Sequence, residues 1–305
     1  MHIYLGNQNT IMDADELLKR YAVGERDFRR VNLRNASLIG ADLTHANLRG
    51  SDLSQSNLTG ASLKLVNLRE ANLTQATLCG TDLSEANLIS SNLTQANISE
   101  ANLINASLRA STLNGANLSR ANLSEAILSE AIMREANLNH AKLTDASLSR
   151  TNLSSATLIS ANLEKANLTN GIFLETKLQQ ANLNKALLHG ANFTQADLTE
   201  VDLSQARING VNLTRAILIG AKLRGVSICW TTLRGANLSK ANLYRAKLCW
   251  SNLTEAILLE TVLLDANMDQ VNLRGATLTG AILPDGFSYE RGKGTGNREQ
   301  GIDFF

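Results

Sequence analysis

An all-β solenoid, built from short extended segments and turns, is predicted by three features of the sequence. The central apolar residue of a five-residue block falls at Phe28 and at every fifth position to Leu283, giving 52 consecutive blocks in one register, of whose centres 44 are Leu. Two positions before each centre, from Val31 to Ala281, every residue is Ala, Ser, Thr, Val or Gly, and 34 of those 51 are Ala. Outward residues recur at a spacing of twenty, as in Gln55, Gln75 and Gln95, Arg29, Arg49 and Arg69, and the dipeptides Cys229-Trp230 and Cys249-Trp250.

A period of five suits neither regular helix nor continuous strand. On a helix it advances about 500° and spirals the leucines over every face. On a strand an odd period sends alternate leucines to opposite faces. Within a block, however, the small residue and the Leu are two apart and share one side of an extended segment. A bend in each block then winds the chain, with small residue and Leu inside and the other three positions outside. The recurrence at twenty matches side chains on neighbouring coils if four blocks close one coil. The 52 blocks then make 13 coils, and at a strand spacing of roughly 4.8 Å the rod is about 60 Å long.

Three segments follow in order. In residues 1–25, His2-Ile3-Tyr4-Leu5 is a short strand or an end, and a capping helix is expected after Asp13. Glu16 stands three residues on, acids precede bases, and Gly24 stops it. Leu17, Leu18 and Tyr21 share the face expected to cover the first coil, whose open end would expose leucines and unpaired backbone groups. Residues 26–285 form the β-helix. The single proline, Pro284, lies where the register ends, as a missing N–H requires. Residues 286–305 abandon the pattern, are rich in Gly and charge, and read as a flexible tail with apolar Ile302, Phe304 and Phe305 at its end.

Net charge is +1, and the balance holds in each half: Arg26 to Ser155 carries 12 basic and 11 acidic residues, Ala156 to Asp285 carries 12 and 10. This argues against nucleic acid as a partner. With no apolar run approaching the roughly 18 residues of a membrane span, a soluble cytoplasmic protein is expected. Catalysis needs converging side chains, which flat walls do not supply. The histidines (His2, His45, His140, His189) do not share a wall, Cys79 lies coils away from Cys229 and Cys249, and there is no CxxC, HExxH or glycine-rich phosphate loop. No enzyme activity, cofactor or metal is expected.

Three outward features are candidates for binding. Trp230 and Trp250, beside Cys229 and Cys249 on adjacent coils, are either an interaction hot spot or a pair that stacks on itself. In a cytoplasmic setting the two thiols are expected to be reduced. The ladder Arg29, Arg49, Arg69 sets like charges about 5 Å apart unless acids such as Asp27 and Glu70 intervene. Towards the C-terminal end Ile217, Ile219, Ile257, Leu259, Val262, Leu264 and Ile282 make outward positions apolar and offer a surface for self-association.

The blocks ADLTH, ANLRG, ANLTQ, TDLSE and ADLTE, within a register covering Arg26 to Asp285, resemble the pentapeptide-repeat family and its A(D/N)LXX consensus. The resemblance implies a right-handed quadrilateral β-helix. LLKRYAVGERDF before the first repeat and AILPDG at its end are similar to cyanobacterial members, including one that regulates heterocyst differentiation. It implies a non-enzymatic protein–protein interaction module with a regulatory role, and a homodimer through the C-terminal end as several members form. The alternatives are a topoisomerase-protecting DNA mimic, which some members are, and a structural spacer. An acidic surface and loop insertion mark the mimics, and this sequence has neither.

Overall fold

The computed structural model describes residues 10–289. It comprises two units, Met1–Lys142 and Leu143–Phe305. The segment His2-Ile3-Tyr4-Leu5 and residues 290–305, with Ile302, Phe304 and Phe305, lie outside the described residues.

In the first unit, strand β1 (Thr10–Ile11) pairs in parallel with β2 (Val31–Asn32). Between them runs helix α1 (Ala14–Ala22). Asp13 caps it by accepting from the Glu16 N–H at 2.7 Å. Leu17 is its fully buried residue, and the Tyr21 hydroxyl donates to the Thr44 carbonyl at 2.8 Å, tying the helix to the coil that carries Thr44.

Each five-residue block repeats one local structure. The residue after the central Leu begins a turn, and the next residue has a left-handed backbone at every fifth position from Arg30 to Gly280. The turn closes when the following small residue donates to the central carbonyl, as Ala36 does to Leu33 at 3.0 Å. Positive φ at the third residue of the turn is the type II pattern. Non-glycine residues in this conformation cost about 1–2 kcal/mol each. The cost is offset by coil-to-coil bonds, such as that from the Asn35 N–H to the Ser54 carbonyl at 3.0 Å.

Parallel bridges link residues twenty apart, from Asp27–Asn47 to Asn122–Lys142 in the first unit and from Ser147–Asn167 to Val262–Ile282 in the second. Four blocks therefore close one coil in each unit, as the recurrence at twenty indicated. Inward centres from Phe28 to Leu278 are buried, and burial of each Leu contributes roughly 1.5–3 kcal/mol. Where the small residue is Ser or Thr, its hydroxyl is buried but bonded to a backbone carbonyl, as Ser51 to Phe28 at 3.0 Å and Thr81 to Leu58 at 2.9 Å.

The second residue of the block, so often Asn or Asp, has a role that the outward–inward pattern does not reveal. Its side chain accepts the N–H two residues on, as Asn72 does from Thr74 at 3.2 Å and Asp52 from Ser54 at 3.0 Å. That N–H points away from the ladder and has no backbone partner in the repeat. With this bond all five N–H groups of an ideal block are satisfied. Between coils the same side chains form ladders, with Asn72 Nδ2 donating to Asp52 Oδ1 at 3.0 Å and Asn182 Nδ2 to Asn162 Oδ1 at 3.1 Å.

At the C-terminal end the backbone turns back. Ser288 pairs antiparallel with Ile282, Leu283 donates to Phe287 and Tyr289 to Ala281. This pairing carries ordered structure a few residues into the segment read as tail.

Candidate interaction surface

The flat walls of each coil present three outward positions per block, so the candidate residues are displayed by the same turn-and-ladder geometry. The arginine ladder is neutralised by its neighbours. Arg29 pairs with Asp27 at 2.6 Å, while Arg49 and Arg69 both reach Glu70 at 3.1 Å. The two guanidinium hydrogen bonds hold the Glu70 carboxyl below its ordinary value, with Arg49 the larger influence. Arg29 does the same to Asp27. Exposed pairs of this kind add little to stability, but they turn a row of like charges into an alternating, solvated wall.

The Gln recurrence is a hydrogen-bonded ladder: Gln55 Nε2 donates to Gln75 Oε1 at 3.1 Å, and Gln75 to Gln95 at 2.9 Å. Between Gln95 and Glu135 the corner residue is Gly115, and a shallow notch of about 270 Å³ opens there, lined also by Thr94, Asn114 and Arg134.

The Cys-Trp pairs depart from one expectation. Cys229 and Cys249 are joined by a disulfide, with Cα atoms 4.7 Å apart, so the thiols expected to be reduced are oxidised in this structure. The reason is geometric: the same position on adjacent coils is fixed at one strand spacing, about 4.8 Å, which lies inside the disulfide range. Cys229, at an outward position, is covered by its neighbours and only 9% exposed. Cys79 is free.

The indoles of Trp230 and Trp250 stack, with ring centroids 5.2 Å apart and planes within 3°. They nevertheless remain 66% and 54% exposed. The two readings of this pair are therefore not exclusive, because stacking covers only one face of each ring.

The apolar residues do not form one patch. Ile217, Ile219, Ile257 and Leu259 share a wall, in blocks 216–220 and 256–260, with Asn237 bridged between Ile217 and Ile257. Val262, Leu264 and Ile282 belong to the next wall, where Val262 bridges Ile282. Ile217, Ile257 and Leu259 are exposed, and Ile219, Val262 and Leu264 are half-buried.

Among the described residues no group of three or more His, Cys, Asp or Glu is placed to hold a metal ion. Among them, too, no helix is long and apolar enough to cross a membrane.

Coils of twenty residues, an aliphatic interior and flat walls define a β-helical repeat protein. The repeat itself identifies the family. Pentapeptide repeats match in eight copies, from 27–64 to 250–283, and the chain belongs to the pentapeptide-repeat family. Membership carries the right-handed quadrilateral β-helix with it. The chain is 33% identical to HetL, a pentapeptide repeat protein involved in heterocyst differentiation regulation from the cyanobacterium Nostoc sp. strain PCC 7120, over 91% of this chain and 100% of that one, with a TM-score of 0.28. It is 38% identical to alr5209, a pentapeptide repeat protein from Nostoc PCC 7120, over 35% of this chain and 84% of that one, with a TM-score of 0.32. A trypsin-treated variant of QnrB1, a plasmid-mediated fluoroquinolone resistance protein, is 18% identical over 63% and 88% of the two chains, with a TM-score of 0.35. No curated protein matches this chain.

Proposed function

We propose that the protein is a non-enzymatic protein–protein interaction module with a regulatory role. The observation that carries this reading is the wall bearing Ile217, Ile219, Ile257 and Leu259. Three of these four aliphatic side chains are exposed on one wall of a rigid support, on two coils that flank the coil of Asn237, where polar residues would serve solubility better. The interior is closed and the backbone bonds are internal, so outward residues can specialise for contact without disturbing the fold. Such a wall suits either another protein or a second copy of this chain. The 33% identity to HetL, a protein of differentiation regulation, supports the regulatory side of the reading.

Substituting Ile217 and Ile257 by Asn tests it, since Asn occupies equivalent positions at Asn237 and Asn252. Affinity capture from the native source and light scattering of the purified protein are the measurements. Loss of a captured protein, or of a dimer, in the double variant supports the reading. Capture and association that are the same with and without the two isoleucines, or a strict monomer that captures nothing, would overturn it.

A further inference from the structure

Charge balance over each half of the chain conceals a local excess. From Leu203 to Thr254, a run of 52 residues, there are eight basic residues and no Asp or Glu. Four of the eight are paired by acids at the margins of this band: Lys222 with Asp202, Arg234 with Glu255, Lys240 with Glu260 and Arg245 with Asp265. Arg207, Arg224 and Lys247 are exposed, and no carboxylate among the described residues stands within 4.0 Å of them. Arg207 and Lys247 lie in one column, bridged through Ser227, on the wall that ends at the indoles. Arg224 stands on the adjoining wall, held over the Tyr244 ring at 4.8 Å.

The indoles supply the second half of the site. Trp250 covers one face of Trp230, leaving the other face on the side of Gly210. A Cβ at Gly210 would meet nothing within 4 Å. The next corner is Gly190, and the Asn170 carboxamide leans over it, with Oδ1 2.3 Å from where a Cβ would stand. The corner column therefore has an open step between the Trp230 ring and the Asn170 amide. Adjacent coils are about 4.8 Å apart, so this step admits a flat ring lying against Trp230.

We propose that these two adjoining walls bind single-stranded nucleic acid, with one base stacked on Trp230 above Gly210 and the phosphates drawn to Arg207, Lys247 and Arg224. Stacking on exposed aromatic rings beside cationic side chains is how such strands are held without sequence readout. An acidic polypeptide would satisfy the cations but has no use for a slot the thickness of one ring. The apolar wall of blocks 216–220 and 256–260 is a different face, so the two readings stand or fall separately.

The test uses the full chain and a fluorescein-labelled oligothymidylate, with anisotropy for affinity and tryptophan emission for stacking. Three phosphate contacts predict a slope of about −2 in log affinity against log salt. Binding is expected to quench tryptophan emission. Gly210→Gln fills the slot without strain, because Gln195 and Gln205 already occupy corners with the same positive φ. It is expected to weaken binding about fivefold or more while the melting curve stays in place. Arg207→Glu with Lys247→Glu should flatten the salt slope. The proposal is overturned by absence of binding at low salt, by binding that neither quenches tryptophan nor responds to Gly210→Gln, or by poly-glutamate binding as tightly as the oligonucleotide.

Discussion

Cys229 and Cys249 occupy the same position on consecutive coils, and the disulfide between them closes a loop of one full turn of the solenoid. Their Cα separation of 4.7 Å is the spacing the hydrogen-bond ladder imposes whether or not the bond exists. Trp230 donates to the Cys249 carbonyl at 3.1 Å, so the backbone holds both corners in register by itself. Reduction is therefore expected to leave the fold intact and to remove only the restraint on the unfolded chain. For a loop of twenty residues this restraint is worth about 3 kcal/mol. Thermal melts followed by circular dichroism should show an unchanged native spectrum and a lower midpoint with a dithiol reductant, and Cys249→Ser should reproduce the reduced value. An unfolded spectrum on reduction would show that the ladder cannot hold these coils alone.

The Asn at the second position of the block should be measurable as a backbone cap. Asn182 Oδ1 accepts from the Asn184 N–H at 3.0 Å while its Nδ2 donates to Asn162 at 3.1 Å. Asn182→Ala deletes both bonds and leaves the N–H of Asn184 to water. The expected loss is about 1–2 kcal/mol. Asn182→Asp keeps the acceptor but sets a second carboxylate against Asp202 on the next coil, so in high salt, which screens that repulsion, it should recover part of the loss. Denaturant titration of the three proteins in high salt makes the comparison, and equal stability of the Ala and Asp variants there would deny the capping role.

Much of this architecture is legible in the sequence because interior and ladder both impose exact periods on side chains. Leu33, Leu38 and Leu43 announce the inward direction, and Gln55, Gln75 and Gln95 announce the coil length, since only side chains that touch across coils gain from recurring at twenty. Other features have no such imprint. The preference for Asn at positions such as Asn72 is visible, but its purpose emerges only when the orientation of the Thr74 N–H is known. The pairing of Cys229 with Cys249 depends on oxidation as well as spacing, and spacing is all a sequence offers. The open step at Gly210 was hidden for another reason: glycine at a corner reads as a turn former, although most corners here carry larger residues. The positive band around Trp230 vanishes when charges are counted over half the chain.

Glu70 links the protonation of one carboxyl to the arginine ladder. Arg49 and, more weakly, Arg69 hold its carboxyl below the ordinary value near 4.5. A carboxyl depressed in the folded state contributes stability that is complete above its unfolded pKa and is lost as pH falls through the folded one. Asp27, depressed by Arg29, has the same sign. The melting temperature should therefore be flat from neutrality to about pH 5 and decline below it. Glu70→Gln should melt slightly lower at neutral pH and converge with the parent in acid. Because Glu70 is well exposed, added salt should shrink the difference. A difference that grows as pH falls would have the wrong sign for this assignment.

Phe173 and Phe193 stack inside the second unit with centroids 4.5 Å apart and planes within 7°. Phe173 replaces the usual central Leu, and its own block begins with Gly171 in place of the usual Ala. A Cβ on Gly171 would lie 2.6 Å from Phe173 Cε2 and 3.2 Å from Cζ, so the larger ring occupies the space of the missing methyl. The two departures from the repeat compensate each other within one block. Gly171→Ala should cost about 1–3 kcal/mol, because Phe173 is pressed between its own backbone and Phe193 and cannot yield freely. Phe173→Leu should also destabilise, by leaving unfilled volume beside Phe193. The double variant restores the ordinary block, and its cost should fall below the sum of the singles by about 1 kcal/mol or more. Chemical denaturation of the four proteins closes the cycle. Strict additivity would mean that Phe173 takes its place for reasons unrelated to Gly171.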